Sequence, residues 1–193
     1  MRRTSFPLMG LIMFLALGAG GLVLAIPKSP SPGEEAGVPP GAASGHSNMT
    51  NTRLGELIKR IDPDAQGQPG NWSFTVQDIP AFVITDEEAD RMRILVPAAD
   101  ADDLDQATLY RILQANFESA LDARYAIAQN TVWSAFIHPL SHLSEEEFFS
   151  AVAQTFNAAL TFGGSYSSGV FQFGGGDNRS DIYDEVIEKG RQL

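Results

Sequence analysis

The sequence predicts an α+β fold: an antiparallel sheet flanked by helices, in the order helix, three strands, helix, two strands, helix. Two observations carry that prediction. Short runs of alternating apolar and polar residues, bounded by turn residues, recur between Trp72 and Ile137. They are interrupted and followed by segments whose apolar residues return every three or four positions, the spacing of one helix face.

The folded region begins near Asn51. Leu54, Leu57, Ile58 and Ile61 form a short amphipathic helix, capped by Asn51 or Thr52 and ended by Asp62-Pro63, because the residue before proline leaves helical geometry. Gln68-Pro69-Gly70-Asn71 turns the chain into a strand in which Trp72, Phe74 and Val76 alternate with Ser73, Thr75 and Gln77. Phe82 to Thr85 is a second strand, with Pro80 marking an edge or a strand start. The run Asp86-Glu87-Glu88-Ala89-Asp90 reads as a solvated acidic turn; it lacks the glycine and the alternation of a calcium loop. Met92, Ile94 and Val96 form the third strand.

The stretch Leu104 to Phe162 carries the strongest local signals. Acids from Asp100 to Asp105 offer caps for a helix whose apolar face is expected to be Leu109, Ile112, Leu113, Phe117, Ala120 and Leu121. Asn116 falls on or beside that face, and its amide is expected to bond the start of the next strand, since buried polar groups find partners. Arg124 to Gln129 and Thr131 to Ile137 read as two strands joined at Gln129-Asn130, enriched in β-branched and aromatic residues. Ser144 and Glu147 then form an S-x-x-E capping box, with Leu143 and Phe148 placed as a hydrophobic staple. Phe149, Val152, Phe156, Ala159 and Leu160 make the apolar stripe of the helix, and Gly163-Gly164 stops it. Beyond lie a glycine-rich stretch and a last short amphipathic helix around Ile182, Tyr183, Val186 and Ile187.

The domain organisation follows: 1–26 an export segment, 27–50 a spacer rich in Pro, Gly and Ser, 51–163 the α+β domain, and 164–193 the glycine-rich segment with its helix. Arg2-Arg3 followed by an uncharged apolar run from Phe6 to Ile26 is the pattern of an export signal, with the arginines held in the cytoplasm. Two outcomes stay open. Val23 and Ala25 suit a cleavage site before Ile26, which would give a periplasmic or secreted protein. The run is also long enough to span a bilayer, which would anchor the domain in the inner membrane facing the periplasm.

Composition limits the function classes. A net charge of -11 repels phosphate backbones and argues against nucleic acid. No cysteine is present, so disulfides, zinc thiolates and thiol nucleophiles are excluded, and a bacterial rather than an animal exported domain is suggested. His138 and His142 lie four apart near Glu145 to Glu147, but Pro139 denies them a shared helical face and no third metal ligand is evident, so both read as loop histidines. No G-x-S-x-G elbow, dinucleotide fingerprint or Walker lysine occurs. No catalytic, cofactor-binding or metal residue is therefore assigned.

The short opening helix, the strand Met92 to Val96, the helix carrying Leu113-Gln114-Ala115-Asn116, the strand pair Tyr125 to Ile137 and the capped closing helix together resemble the type III secretion chaperone-like fold, shared by class I effector chaperones and the YbjN family. The resemblance covers Thr52 to Phe162 and implies an α+β domain, usually dimeric, that binds a segment of another polypeptide and catalyses nothing. Effector chaperones work in the cytoplasm, and the export segment departs from that pattern. The expectation is a protein-binding domain at the cell envelope, with a homodimer as one form and with Tyr125, Trp133 and Phe171 as candidate partner-binding residues. Two alternatives have their own signatures. An envelope hydrolase would gather His138, His142 and carboxylates in a pocket, and a small-molecule binder would enclose an apolar cavity.

Overall fold

The computed structural model describes residues 48–169 and 179–192. Two compact units divide the chain, 1–42 and 43–193, and the first lies outside the described residues, as do the export segment and nearly all of the spacer. The folded unit is α+β. Its elements are α1 (Asn51–Ile61), β1 (Gln66–Gln68), β2 (Asn71–Val76), β3 (Ile79–Asp86), β4 (Arg91–Asp100), a 3-10 turn (Ala101–Asp103), α2 (Gln106–Glu118), β5 (Arg124–Ala128), β6 (Thr131–His138), α3 (Glu145–Leu160) and α4 (Asp181–Arg191).

The six strands form one antiparallel sheet in the order β1-β2-β3-β4-β6-β5. Consecutive strands pair through short turns, except where the chain leaves β4, builds α2 and returns as the edge strand β5. The order differs from the expected one at two places. β1 is an added strand of three exposed polar residues, so no apolar alternation announces it. α4 packs into the same core as α3, through Ile182, Tyr183 and Val186, so the core continues past residue 163.

Two turns of the sheet are built by residues in the left-handed region. Gln77 and Asp78 join β2 to β3 with φ of 49° and 66°, and Gln129 and Asn130 join β5 to β6 with φ of 50° and 58°. Two successive positive φ values are the geometry of the tight turn whose twist matches that of paired strands, which is why a hairpin forms here without Asn-Gly.

One face of the sheet is covered by helices. Trp72, Phe74 and Val76 of β2, Val83 of β3, Met92, Ile94 and Val96 of β4 and Phe136 of β6 are buried with Leu54, Leu57 and Ile58 of α1 and Phe148, Val152 and Phe156 of α3. α3 starts with the expected capping box: Ser144 Oγ accepts from Glu147 N at 3.2 Å while Glu147 Oε2 accepts from Ser144 N at 2.8 Å. Leu143 and Phe148 are both buried, as a staple requires, and Gly163 closes the helix with φ of 77°.

Asn157 extends this core beyond the helix. It is fully buried in α3, its Nδ2 donates to Ser167 O at 2.8 Å, and its Oδ1 accepts from Ser180 N at 2.7 Å. One amide thus fixes both the segment after α3 and the N-cap of α4. Gly169, with φ of 82°, passes so close that a Cβ there would lie 2.9 Å from Tyr183 and 3.0 Å from Asn157 Nδ2.

Candidate interaction surfaces

α2 packs against the sheet differently from the sequence expectation. Its buried residues are Ile112 and Ala115, with Ser119 just past its end, and they meet Tyr125, Val132, Ala158 and Tyr166 in a second, smaller core. The expected apolar face divides: Ile112 and Ala120 are buried, whereas Leu109 is 39% exposed, Leu113 68% and Phe117 81%, with Tyr110 beside them at 65%. Helical periodicity finds the stripe but not the side that the sheet covers. Here Ala115 and Ser119 allow close approach to the sheet beside the buried Ile112, and the residues at 109, 113 and 117 stand on another side.

Asn116 explains how α2 is held in that rotation. Its Nδ2 donates to Tyr125 O at 3.0 Å and its Oδ1 accepts from Tyr125 N at 2.8 Å, so the amide pairs with the first turn of strand β5 as an added strand residue would. The expectation that this amide bonds the start of the next strand holds. Arg124 Nη1 donating to Asn116 O at 2.9 Å and, just past the helix, Ser119 Oγ donating to Tyr166 O at 2.6 Å complete the clamp, which leaves four large apolar side chains to solvent.

The sheet face away from the helices is the second surface. The register places Pro80, Phe82 and Ile84 of β3, Arg93, Leu95 and Pro97 of β4, Trp133, Ala135 and Ile137 of β6 and Arg124 and Ala126 of β5 on one side. Phe82 and Trp133 reach across β4 to an edge-to-face contact of 6.1 Å. Among the described residues no helix covers this side. Arg91 and Arg93 stand on it with two acids, Asp86 and Asp100, at its ends, while the Arg124 guanidinium turns to Asn116 O of α2 at 2.9 Å.

The three residues proposed from the sequence separate. Trp133 lies on the open sheet face, half-buried, with Nε1 donating to Ala128 O at 3.0 Å. Tyr125 is a correction. It is 5% exposed, its hydroxyl donates to Ala158 O at 2.6 Å, and burial pushes its phenol up to about 12, so it serves the small core rather than a partner. The alternation of β5 could not show that, because an edge strand can present either parity to a helix. Phe171 lies outside the described residues. The residues that sequence reasoning placed on apolar helix faces and the structure leaves exposed are Leu109, Leu113 and Phe117 of α2 and Leu160 of α3.

Two polar clusters invite a catalytic reading. Ser141, His142 and Asp90 have the composition of a hydrolase triad, and Ser141 Oγ lies 2.9 Å from His142 Nδ1 and 3.0 Å from Asp90 Oδ2. In a working triad the imidazole stands between serine and carboxylate, using one ring nitrogen for each. Here Asp90 also faces Nδ1, at 3.9 Å, so the ring relays nothing. Asp90 instead accepts from Ser141 N at 2.7 Å and ties the loop to the β3–β4 turn; that backbone bond holds its carboxyl below the ordinary range.

The second cluster is a polar cleft of about 420 Å³ that gathers Asp122, Arg124, His138, Glu147, Ser150 and Gln154 but not His142. His138, expected in a loop, ends β6 and stacks on Phe136 with its Nδ1 2.8 Å from Pro139 O. Glu147 is engaged in the capping box, Gln154 Nε2 donates to Ser150 Oγ at 3.2 Å, and Arg124 donates to Asn116 O at 2.9 Å. No serine here is hydrogen-bonded to a base. Among the described residues no three of His, Asp or Glu converge to hold a metal ion, and no helix is long and apolar enough to cross a membrane.

No protein-family model and no curated protein matches this chain.

Proposed function

We propose that this chain is a protein-interaction domain without catalytic activity of its own, which takes a segment of a polypeptide partner on the outer face of α2. The observation that carries the reading is the row Leu109, Leu113 and Phe117 with Tyr110, four large apolar residues exposed on a helix of thirteen residues. Single exposed apolar residues are ordinary; a contiguous patch rimmed by acids marks an interaction site. An amphipathic or extended segment laid along this helix would bury aromatic area of about 150–250 Å² for each ring it covers.

The reading extends to place and kind. An export segment and spacer would present the domain at the outer side of the cytoplasmic membrane, as an anchored or a released protein of the bacterial envelope. A fold of the type III secretion chaperone-like kind fits the antiparallel sheet with α2 inserted between β4 and β5, a family whose members hold other polypeptides. The added strand β1 and the docked helix α4 are departures from the pattern read in the sequence.

A second reading, an envelope hydrolase, has one observation in its favour, the cleft that joins His138 to Asp122 and Glu147. Hydrolysis of generic ester or peptide substrates that is lost in His138→Ala would establish it.

The test of the main reading is a photoreactive benzoylphenylalanine at position 113 of the full chain in its native cells. A discrete adduct is expected, absent when the probe sits at position 59 on the exposed far side of α1. No adduct at 113 under conditions where the protein is folded overturns the reading.

A further inference from the structure

We infer that the segment held by α2 is an extended strand carrying basic residues, which adds to the free edge of β5 in the angle between that strand and α2; this rests on the reading of α2 as an interaction helix. Two sets of bonds lay α2 antiparallel alongside β5. Asn116 pairs with Tyr125 near one end, and at the other Ala101 N, just before the helix, donates to Asn130 O at 3.0 Å. Leu113 and Leu109 precede Asn116 by one and two turns on the same stripe of the helix, about 4.5 and 10 Å back along its axis. Ile127 follows Tyr125 on the same side of β5, about 6.6 Å along the strand. It is 50% exposed, so Leu109, Leu113 and Ile127 flank one open angle.

The backbone of Ile127 decides what fills that angle. Tyr125 N and O point away from β6, since both bond the Asn116 amide, and Ile127 shares their orientation because alternate residues of a strand do. Its N–H and C=O have no partner among the described residues. A partner that covers Leu113 and Ile127 takes both groups out of water. A helix bonds its own backbone groups internally and would leave them unpaired, whereas a strand supplies the matching C=O and N–H. The Asn116 amide already does this at Tyr125, so an added strand continues a pairing the fold has begun. Charge sets the character of that strand. Asp102 and Asp103 lie at the Asn130 end of the angle, exposed and without an ion pair among the described residues, and Asp100 and Asp105 beside them act as caps. The sequence has no Lys or Arg between Arg93 and Arg111 or between Arg124 and Arg179, so neither the start of α2 nor the β5–β6 turn carries a base to offset them. A Lys or Arg just beyond the paired residue of the incoming strand supplies it.

The photoreactive probe at position 113 of the full chain reads this pairing. Ile127→Pro removes the one N–H that the added strand needs and spares the ladder with β6, a substitution that edge strands tolerate. It is expected to lower the adduct yield about tenfold while the midpoint of thermal unfolding stays within a few degrees of the parent, and Ile127→Val is expected to keep the yield. Asp102→Lys with Asp103→Lys, which touches no strand, is expected to lower the yield by a similar factor. The probe moved to position 127 is expected to capture the same partner, with a Lys or Arg within a few residues of the crosslinked site. An undiminished yield in Ile127→Pro means that the partner lies on the helix alone, and it overturns the inference while leaving α2 an interaction helix. Should proline unfold the chain, an adduct from position 113 with none from position 127 has the same meaning. An undiminished yield in the double lysine variant also overturns the inference alone. No adduct at position 113 in the parent chain overturns both.

Discussion

Phe156→Ala is expected to cost about 3–5 kcal/mol of unfolding free energy, the range for a large aromatic removed from a core that can collapse only partly. Phe156 is fully buried in the middle of α3, with its ring 6.2 Å from that of Phe74 on β2, so it joins the closing helix to the far half of the sheet. Urea unfolding followed by circular dichroism measures the loss. Phe117→Ala removes the same side chain from α2, where it is 81% exposed, and is expected to change stability by no more than about 0.5 kcal/mol. The contrast between two identical substitutions separates the ring that holds the fold together from the ring the fold does not use.

Asn157→Ala is expected to cost about 1–3 kcal/mol, because it removes a fully buried amide that ties two other segments and leaves Ser180 N without its acceptor. Ser167 O would lose the Asn157 donor but keep Thr161 Oγ1 at 2.8 Å, and Ser180 N would lose its acceptor. The damage is expected to be local before it is global: hydrogen exchange at the amides of α4 should accelerate ahead of those of β3 and β4, since the N-cap of α4 is tied to α3 by this side chain. Uniform acceleration across the sheet would mean that α4 and the segment before it do not form a separable unit. Leucine at 157 would fill the space yet still leave Ser180 N without its acceptor, so it is expected to do no better than alanine.

Much of the fold was legible in local chemistry. The capping box at Ser144, the staple of Leu143 and Phe148, the glycine stop at Gly163 and the amide of Asn116 are short-range signals, and each is found in the bonds it predicts. Strand β1 was not legible, because three exposed polar residues earn their place only by pairing with Asn71 to Ser73. The docking of α4 was hidden by the glycine-rich stretch before it, which separates in sequence what Asn157 joins in space. The surface was the hardest part. Apolar periodicity in α2 is the same whether the stripe faces the sheet or the solvent, and the deciding feature is the small pair Ala115 and Ser119 beside the buried Ile112, which lets the helix approach the sheet. Tyr125 and Trp133 sit on opposite sides of neighbouring strands, and their aromatic character alone could not distinguish a core residue from one on the open face.

The most direct measurement on the central claim, that the outer face of α2 belongs to a partner and not to the fold, is the unfolding free energy of the double variant Leu113→Ser, Phe117→Ser. Neither side chain enters a core cluster, so the account predicts a value within about 0.5 kcal/mol of the parent protein. A loss of about 3 kcal/mol or more, of the size seen when core residues are truncated, would show that the folded chain already buries this face and would contradict the account.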